Sequence, residues 1–144
     1  MTTKQVILWR KDLVIKNVGK LPAQAAHAST AVFTNRITSI QPMHTEGDEQ
    51  ESTRIIIDIN RPATMLSDWL SGIFTKIVLA VENEKDMRDL YEQAKSQGLL
   101  CSWIVDSGRT EFDGVPTATC CAIGPDYAER IDPITGHLKL LASL

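Results

Sequence analysis

No stretch of this 144-residue chain approaches the ~18 consecutive apolar residues that a membrane-spanning helix needs. The opening MTTKQVILWRKD holds one strand's worth of apolar residues and no signal-peptide pattern, so the protein is expected to stay where it is made. Cysteine is scarce. Cys101, Cys120 and Cys121 are odd in number, two of them adjacent, with no CxxC pair and no zinc-type spacing; they read as buried thiols in a reducing compartment, the cytoplasm. Neither GxGxxG nor GxxxxGK[ST] occurs, which removes the familiar phosphate loops, and His27, His44 and His137 share no spacing such as HExxH, which argues against a zinc site. Cysteine nucleophile catalysis would need Cys101 or Cys121 beside His27, and nothing in the spacing supports it. Positive charge is not in excess either. A net charge of −3 argues against a chain that coats nucleic acid indiscriminately.

The charge that is present is unevenly spread. Residues 1–36 hold Lys4, Arg10, Lys11, Lys16, Lys20 and Arg36 against Asp12 alone, so this segment can face an anion, or simply form a solvated basic face. Acids gather elsewhere, at Glu46, Asp48, Glu49 and Glu51. The length is that of one domain with a proper core. Trp9, Trp69 and Trp103 suit core or interface anchors better than a base-stacking platform.

Hydrophobic patterning supplies the elements. Val6, Ile7, Leu8 and Trp9 make residues 5–9 a buried central strand. Leu21, Ala25, Ala28 and Val32 recur at steps of four, three and four, which predicts a helix over Lys20–Thr34, with Pro22 tolerated in a first turn that has no amide partner to lose. Within 36–61 the tip 41–52 is polar and acidic and reads as a mobile loop, 54–59 as an extra edge strand or a helix-flanking segment, and Asn60-Arg61-Pro62 as the start of a short helix to about residue 71. KIVLAV at Lys76–Val81 is a second buried strand. Met87, Leu90, Tyr91 and Ala94 mark a helix over 82–97 that Gly98 ends, 100–105 is a third strand, and 117–123 a fourth that stops at Gly124-Pro125. Alternating strands and helices imply a single-domain α/β sandwich, its sheet mainly parallel or mixed and covered on both faces, with function at the strand ends.

Two constellations stand at such places. Lys20, Gln24 and His27, at i, i+4 and i+7, align a cation, an amide and an imidazole on one helical stripe. Such a stripe can hold an oxyanion or phosphate, orient a carbonyl or sugar, and offer a proton; spacing alone favours an ordinary solvated helix face. Asp106-Ser107-Gly108-Arg109-Thr110 closes the third strand with a carboxylate, a free glycine, a cation and a hydroxyl. By itself it serves equally well as a structural turn with Asp106 capping amides and Arg109 in an internal ion pair.

Taken in order, RKDL, GKLPAQAAHA, KIVLAV, DLYEQAKSQGL, VDSGRT, TCCAIGP and IDPITGHLKLL resemble the archaeal and eukaryotic type of peptidyl-tRNA hydrolase, across most of residues 5–34 and 76–141. The resemblance implies a compact α/β sandwich with a mixed four-stranded sheet, often dimeric, that hydrolyses the ester between a stalled peptide and the 3′ ribose of tRNA. With the strand–helix alternation, the expectation is a mixed, mainly parallel four-stranded sheet in one domain spanning 1–144, with an acidic loop insertion at about 36–61. Carried over by position, the resemblance puts catalytic roles on Lys20, His27, Asp106 and Thr110, and substrate binding on Gln24 and Thr119, with Arg109, Arg10, Lys11 and Lys16 toward tRNA phosphates. It requires no metal or cofactor, and implies peptidyl-tRNA and a second copy of the chain as partners, with no membrane and no DNA. Two other readings stay open at this point: a non-catalytic tRNA- or protein-binding regulatory module, and hydrolysis of another small ester by a cleft without a basic track.

Overall fold

Buried apolar runs must pair their backbone groups, and the way they do so here is set by the whole chain. The computed structural model describes residues 2–44, 46–47 and 49–143; Asp48 of the acidic segment lies outside the described residues. In chain order the elements are β1 (Thr3–Arg10), α1 (Lys20–Thr34), β2 (Ile37–Met43), β3 (Ser52–Ile57), α2 (Ala63–Ser71), β4 (Lys76–Val81), α3 (Glu84–Ser96), β5 (Cys101–Asp106), a 3₁₀ turn (Phe112–Gly114), β6 (Thr117–Tyr127) and α4 (Ala128–Thr135).

Four strands form the main sheet in the order β4-β1-β6-β5. β1 pairs with β4 in parallel, but β6 runs antiparallel to both β1 and β5. The sheet is therefore mixed and not mainly parallel, as strand–helix alternation suggested. The reason is that β6 follows β5 through a turn with no crossover helix, and then inserts between β5 and β1. A strand covered on both faces has the same apolar composition in either direction.

Alternation across the sheet sorts the core into two layers. Val6, Leu8, Leu79, Cys121 and Ile123 meet Met87 and Ala94 of α3 and Ile131 and Ile134 of α4. On the opposite face Ile7, Trp9, Ile104, Cys120 and Ala122 meet Ala28, Ala31 and Val32 of α1, with Leu66 of α2 packed against them. Trp9 and Trp69 are almost fully buried, as anchors of this core. The α3 boundaries follow local chemistry: Asn83 caps the helix by accepting from the Asp86 amide, and Gly98 leaves it at φ +76°. Sequence reading missed α4, whose eight residues include Pro133. It also ended the last strand too early, because β6 continues through Gly124-Pro125 to Tyr127. Gly124 is required there: its φ is +97°, and a Cβ would lie 2.8 Å from the Lys4 carbonyl oxygen.

Within 36–61, β2 and β3 pair with each other as a separate two-stranded hairpin, so the strand expected at 54–59 is not an edge of the main sheet. Ile40 opposite Ile55 illustrates the β-branched pairing that builds it. Its root is held by the Asp58 amide donating to the Arg36 carbonyl, while Arg61 returns the chain to the body through Asp126. The hairpin leaves from the C-terminal end of α1. The full helix, 15 residues or about 20 Å, separates that root from Lys20.

All three cysteines are free and buried, as expected. Burial pushes the Cys120 thiol from the ordinary 9.0 up to about 11, and also raises Cys121 and Cys101. A folded-state value above the unfolded one means that this stability is intact below pH 9 and is lost as the pH climbs from 9 toward 11, where the unfolded chain sheds a proton the folded chain keeps. For Cys120 the loss approaches roughly 3 kcal/mol. Melting curves in reducing buffer from pH 8 to 11 are expected to show this fall, and Cys120→Ala to make it shallower.

Candidate active site

β1, β4 and β5 point their C-terminal ends the same way, because β6 is antiparallel to both of its neighbours. The loops after β1 and β5 therefore emerge together, beside the N-terminus of α1. Helix α1 begins at Lys20 with no side-chain cap at Gly19 and no acid in its first turn. Its lysine points across to the turn that follows β5.

There Lys20 Nζ lies 3.1 Å from Asp106 Oδ2 and donates to Thr110 Oγ1 at 3.2 Å. Asp106 is 5% exposed, and its Oδ1 accepts from the Gly108 amide at 3.3 Å. Its Oδ2 has no aligned hydrogen-bond donor among the described residues. The two observations are compatible: the ammonium is close enough for charge pairing but off the line a hydrogen bond requires. A buried carboxylate oxygen thus keeps a lone pair open next to a fixed cation. Gly108 makes the turn possible, since it sits at φ +81° and a Cβ would meet Val115 backbone atoms at 2.4–2.7 Å.

A second pair stands one turn along α1. The fully buried Thr119 hydroxyl of β6 donates to Gln24 Oε1 at 2.8 Å. With its carbonyl oxygen engaged, the Gln24 amide still has its nitrogen to offer as a donor. Lys20, Gln24, Asp106, Thr110 and Thr119, from α1, β5, β6 and one turn, are therefore held by direct contacts in two neighbouring groups.

The remaining expected residues are placed differently. His27 is exposed on α1, and among the described residues no hydrogen bond joins it to this cluster. Arg10 is turned inward: Nε and Nη2 fork onto Asp12 at 3.0 and 2.7 Å, and Nη1 donates to the Ala118 carbonyl at 2.9 Å. This arrangement ties the loop after β1 to β6. Lys11, Lys16 and Arg109 are exposed at the same end, with Lys11 in a loose contact with Glu82 at 3.4 Å.

Sequence reading overlooked Glu111. Only 5% exposed, it accepts from the Lys16 amide at 3.1 Å and the Asn17 amide at 2.9 Å. Adjacency to the Thr110 hydroxyl was the one available signal. Its partners lie 94 and 95 positions away, so no spacing pattern reveals them.

A one-domain α/β protein with a lysine–carboxylate–threonine cluster at the strand ends is the class that this geometry defines. The sequence matches the family Peptidyl-tRNA hydrolase PTH2 over residues 3–141. Among its relatives are the peptidyl-tRNA hydrolase of Methanocaldococcus jannaschii, 36% identical with 96% of this chain and 99% of that protein covered, and that of Methanopyrus kandleri, 35% identical with 96% and 97% covered. A solved structure of a protein of unknown function from Agrobacterium shares the fold, with a TM-score of 0.50 at 16% identity over 97% of this chain and 98% of that one. The chain belongs to the peptidyl-tRNA hydrolase PTH2 family.

Among the described residues, no helix is long and apolar enough to cross a membrane.

Proposed function

We propose that this protein hydrolyses the ester between a peptide, or an N-blocked amino acid, and the 3′ ribose of tRNA in the cytoplasm, and that the Lys20–Asp106–Thr110 cluster carries the reaction. The observation that supports it most is the buried Asp106 Oδ2, left without an aligned donor 3.1 Å from Lys20 Nζ. That open lone pair suits the proton of a water molecule.

In this reading Asp106 orients or deprotonates the water, whose oxygen attacks the ester carbonyl carbon. Negative charge develops on the carbonyl oxygen, and Lys20, fixed by Asp106 and Thr110, stabilises that tetrahedral oxyanion. Collapse breaks the bond to the ribose 3′ oxygen, which leaves as a hydroxyl with the proton taken from water; the peptide leaves as a carboxylic acid. Thr110 and the amide nitrogen of Gln24 fix the substrate, and Thr119 holds the Gln24 carboxamide through its oxygen. His27 lies outside the cluster, exposed on α1, and takes no part in this step.

Lys11, Lys16 and Arg109 are the exposed cations that would meet tRNA phosphates, with Arg10 serving as an internal strut. The acidic hairpin springs from the far end of α1, which keeps its root away from this surface. Binding through about three phosphate contacts makes affinity fall steeply with salt, so KM is expected to rise by more than roughly 10-fold between 50 and 200 mM salt while kcat changes little. The test is release of peptide from purified N-blocked aminoacyl-tRNA across that salt range. Turnover with a salt-dependent KM supports the reading. No turnover by folded protein with several tRNAs sinks it, and points to a binding module.

A further inference from the structure

Lys20 is held at two ends by one dipeptide of the post-β5 turn. Its ammonium donates to Thr110 Oγ1 at 3.2 Å. Its backbone amide donates to the Asn17 carbonyl at 3.0 Å, and the amide of Asn17 itself donates to Glu111 Oε1 at 2.9 Å. Two hydrogen bonds in series thus run from the Glu111 carboxylate through Asn17 to the first residue of α1. The second carboxylate oxygen takes the Lys16 amide at 3.1 Å, so the loop cannot pivot about a single contact.

The other backbone bonds at the helix start, from the Leu21 amide to the Val18 carbonyl and from the Ala23 amide to the Gly19 carbonyl, stay within that segment and do not reach the turn after β5. Gly19 offers no side-chain cap, the first turn holds no acid, and Asn17 Oδ1 reaches only the Gly19 amide at 3.2 Å. The turn is also shaped at some cost to present its carboxylate: directly after Glu111, Phe112 and Asp113 stand at φ 60° and 53°, a region that side chains other than glycine seldom occupy. Closure from the Gly114 amide to the Gly108 carbonyl at 3.0 Å maintains that shape. Resting on the reading that Lys20 and Asp106 are the reacting pair, we propose that Glu111 is a positioning residue. It locks the segment before α1 onto the turn after β5, so that the Lys20 ammonium stays beside Asp106 Oδ2.

The chemistry makes the carboxylate specific. Glutamine keeps the length and one acceptor oxygen, but presents an NH2 group to the second backbone amide, where donor faces donor. Alanine deprives both amides of their carboxylate partner. Misplacing a reacting group by about 1 Å costs up to roughly 10²-fold in rate.

The experiment compares wild type, Glu111→Gln, Glu111→Ala and, as a control for lost stability, Ile134→Val in the α3–α4 core layer. Two readouts are taken: kcat and KM on N-blocked aminoacyl-tRNA, and the nuclear magnetic resonance signal of the Lys20 ammonium, which needs no activity. Glu111→Ala is expected to lower kcat roughly 10- to 100-fold with KM within about twofold, and to weaken the Lys20 signal. Glu111→Gln should fall between it and wild type, and carries the test if the alanine variant does not fold. Ile134→Val should melt earlier but keep both kcat and the signal. The proposal is overturned if the glutamine and alanine variants keep the Lys20 signal, if they lose the signal but keep kcat, or if Ile134→Val loses as much as they do. Should wild type hydrolyse nothing, the activity reading fails, while the ammonium signal still decides whether Glu111 holds Lys20.

Discussion

Asp106→Asn is expected to cut kcat by about 10³-fold while the protein remains folded, because the amide keeps the shape of the carboxylate but neither accepts a proton from water nor balances Lys20. Asp106 is 5% exposed and already bonded to the Gly108 amide through Oδ1, so an asparagine oxygen can retain that contact. Lys20→Ala removes the cation facing the developing oxyanion and is expected to cost roughly 10²–10³-fold. The double variant should be barely worse than the slower single one, since the two side chains act on one transition state as a unit. Single-turnover release of peptide, with circular dichroism as the check on folding, measures all three. A folded Asp106→Asn protein that turns over like wild type would remove the carboxylate from the mechanism.

The largest effect on stability is expected at the opposite end of the sheet. Arg61 grips Asp126 through Nε at 2.7 Å and Nη2 at 3.2 Å, and Asp126 is completely buried. Deleting one partner of such a pair leaves the other charge without compensation, a loss on the order of 3–5 kcal/mol. Arg61→Ala should be the worse of the two, because it strands a fully buried carboxylate whose other hydrogen bond among the described residues comes from the Tyr127 amide at 2.8 Å. Arg61 sits only 15% exposed and can relax toward water when Asp126 is the residue removed. Urea denaturation of the two single variants and the double variant measures the coupling, and the double is expected to recover part of the loss. Asp126 lies at the end of β6 that pairs with the start of β1, roughly 30 Å along the strand from Thr117 at the site end. Folded Arg61→Lys is therefore expected to keep wild-type kcat. A drop in kcat parallel to the loss of stability would show that the two ends of the sheet are coupled.

Much of this protein was legible in its sequence for reasons that are local. Continuous apolar runs specify strands covered on both faces, and β1, β4 and β5 fell where those runs are. A four-three-four repeat specifies one buried helical stripe, so α1 was found together with the polar stripe that bears Lys20 and Gln24. The DSGRT turn was visible as a glycine-bearing strand end. The burial of Cys101, Cys120 and Cys121 followed from their apolar neighbours.

Other features depend on which distant segments meet, and local patterning carries no information on that. The direction of β6, the pairing of β2 with β3 and the presence of α4 despite Pro133 are of this kind. The site shows the same division. The chain determined by itself which residues could do chemistry: an ammonium, an amide and a hydroxyl-bearing turn with a carboxylate, each at a predictable place on its own element. Only the tertiary structure decided that Lys20 meets Asp106 across 86 positions, that Thr119 rises from β6 to hold Gln24, that Arg10 turns inward, and that Glu111 reaches back to the amides before α1. The physical reason is range. Side-chain periodicity follows from backbone geometry within a few residues, whereas contacts between elements are selected by burying both faces of one sheet at once, a condition that only the folded chain satisfies.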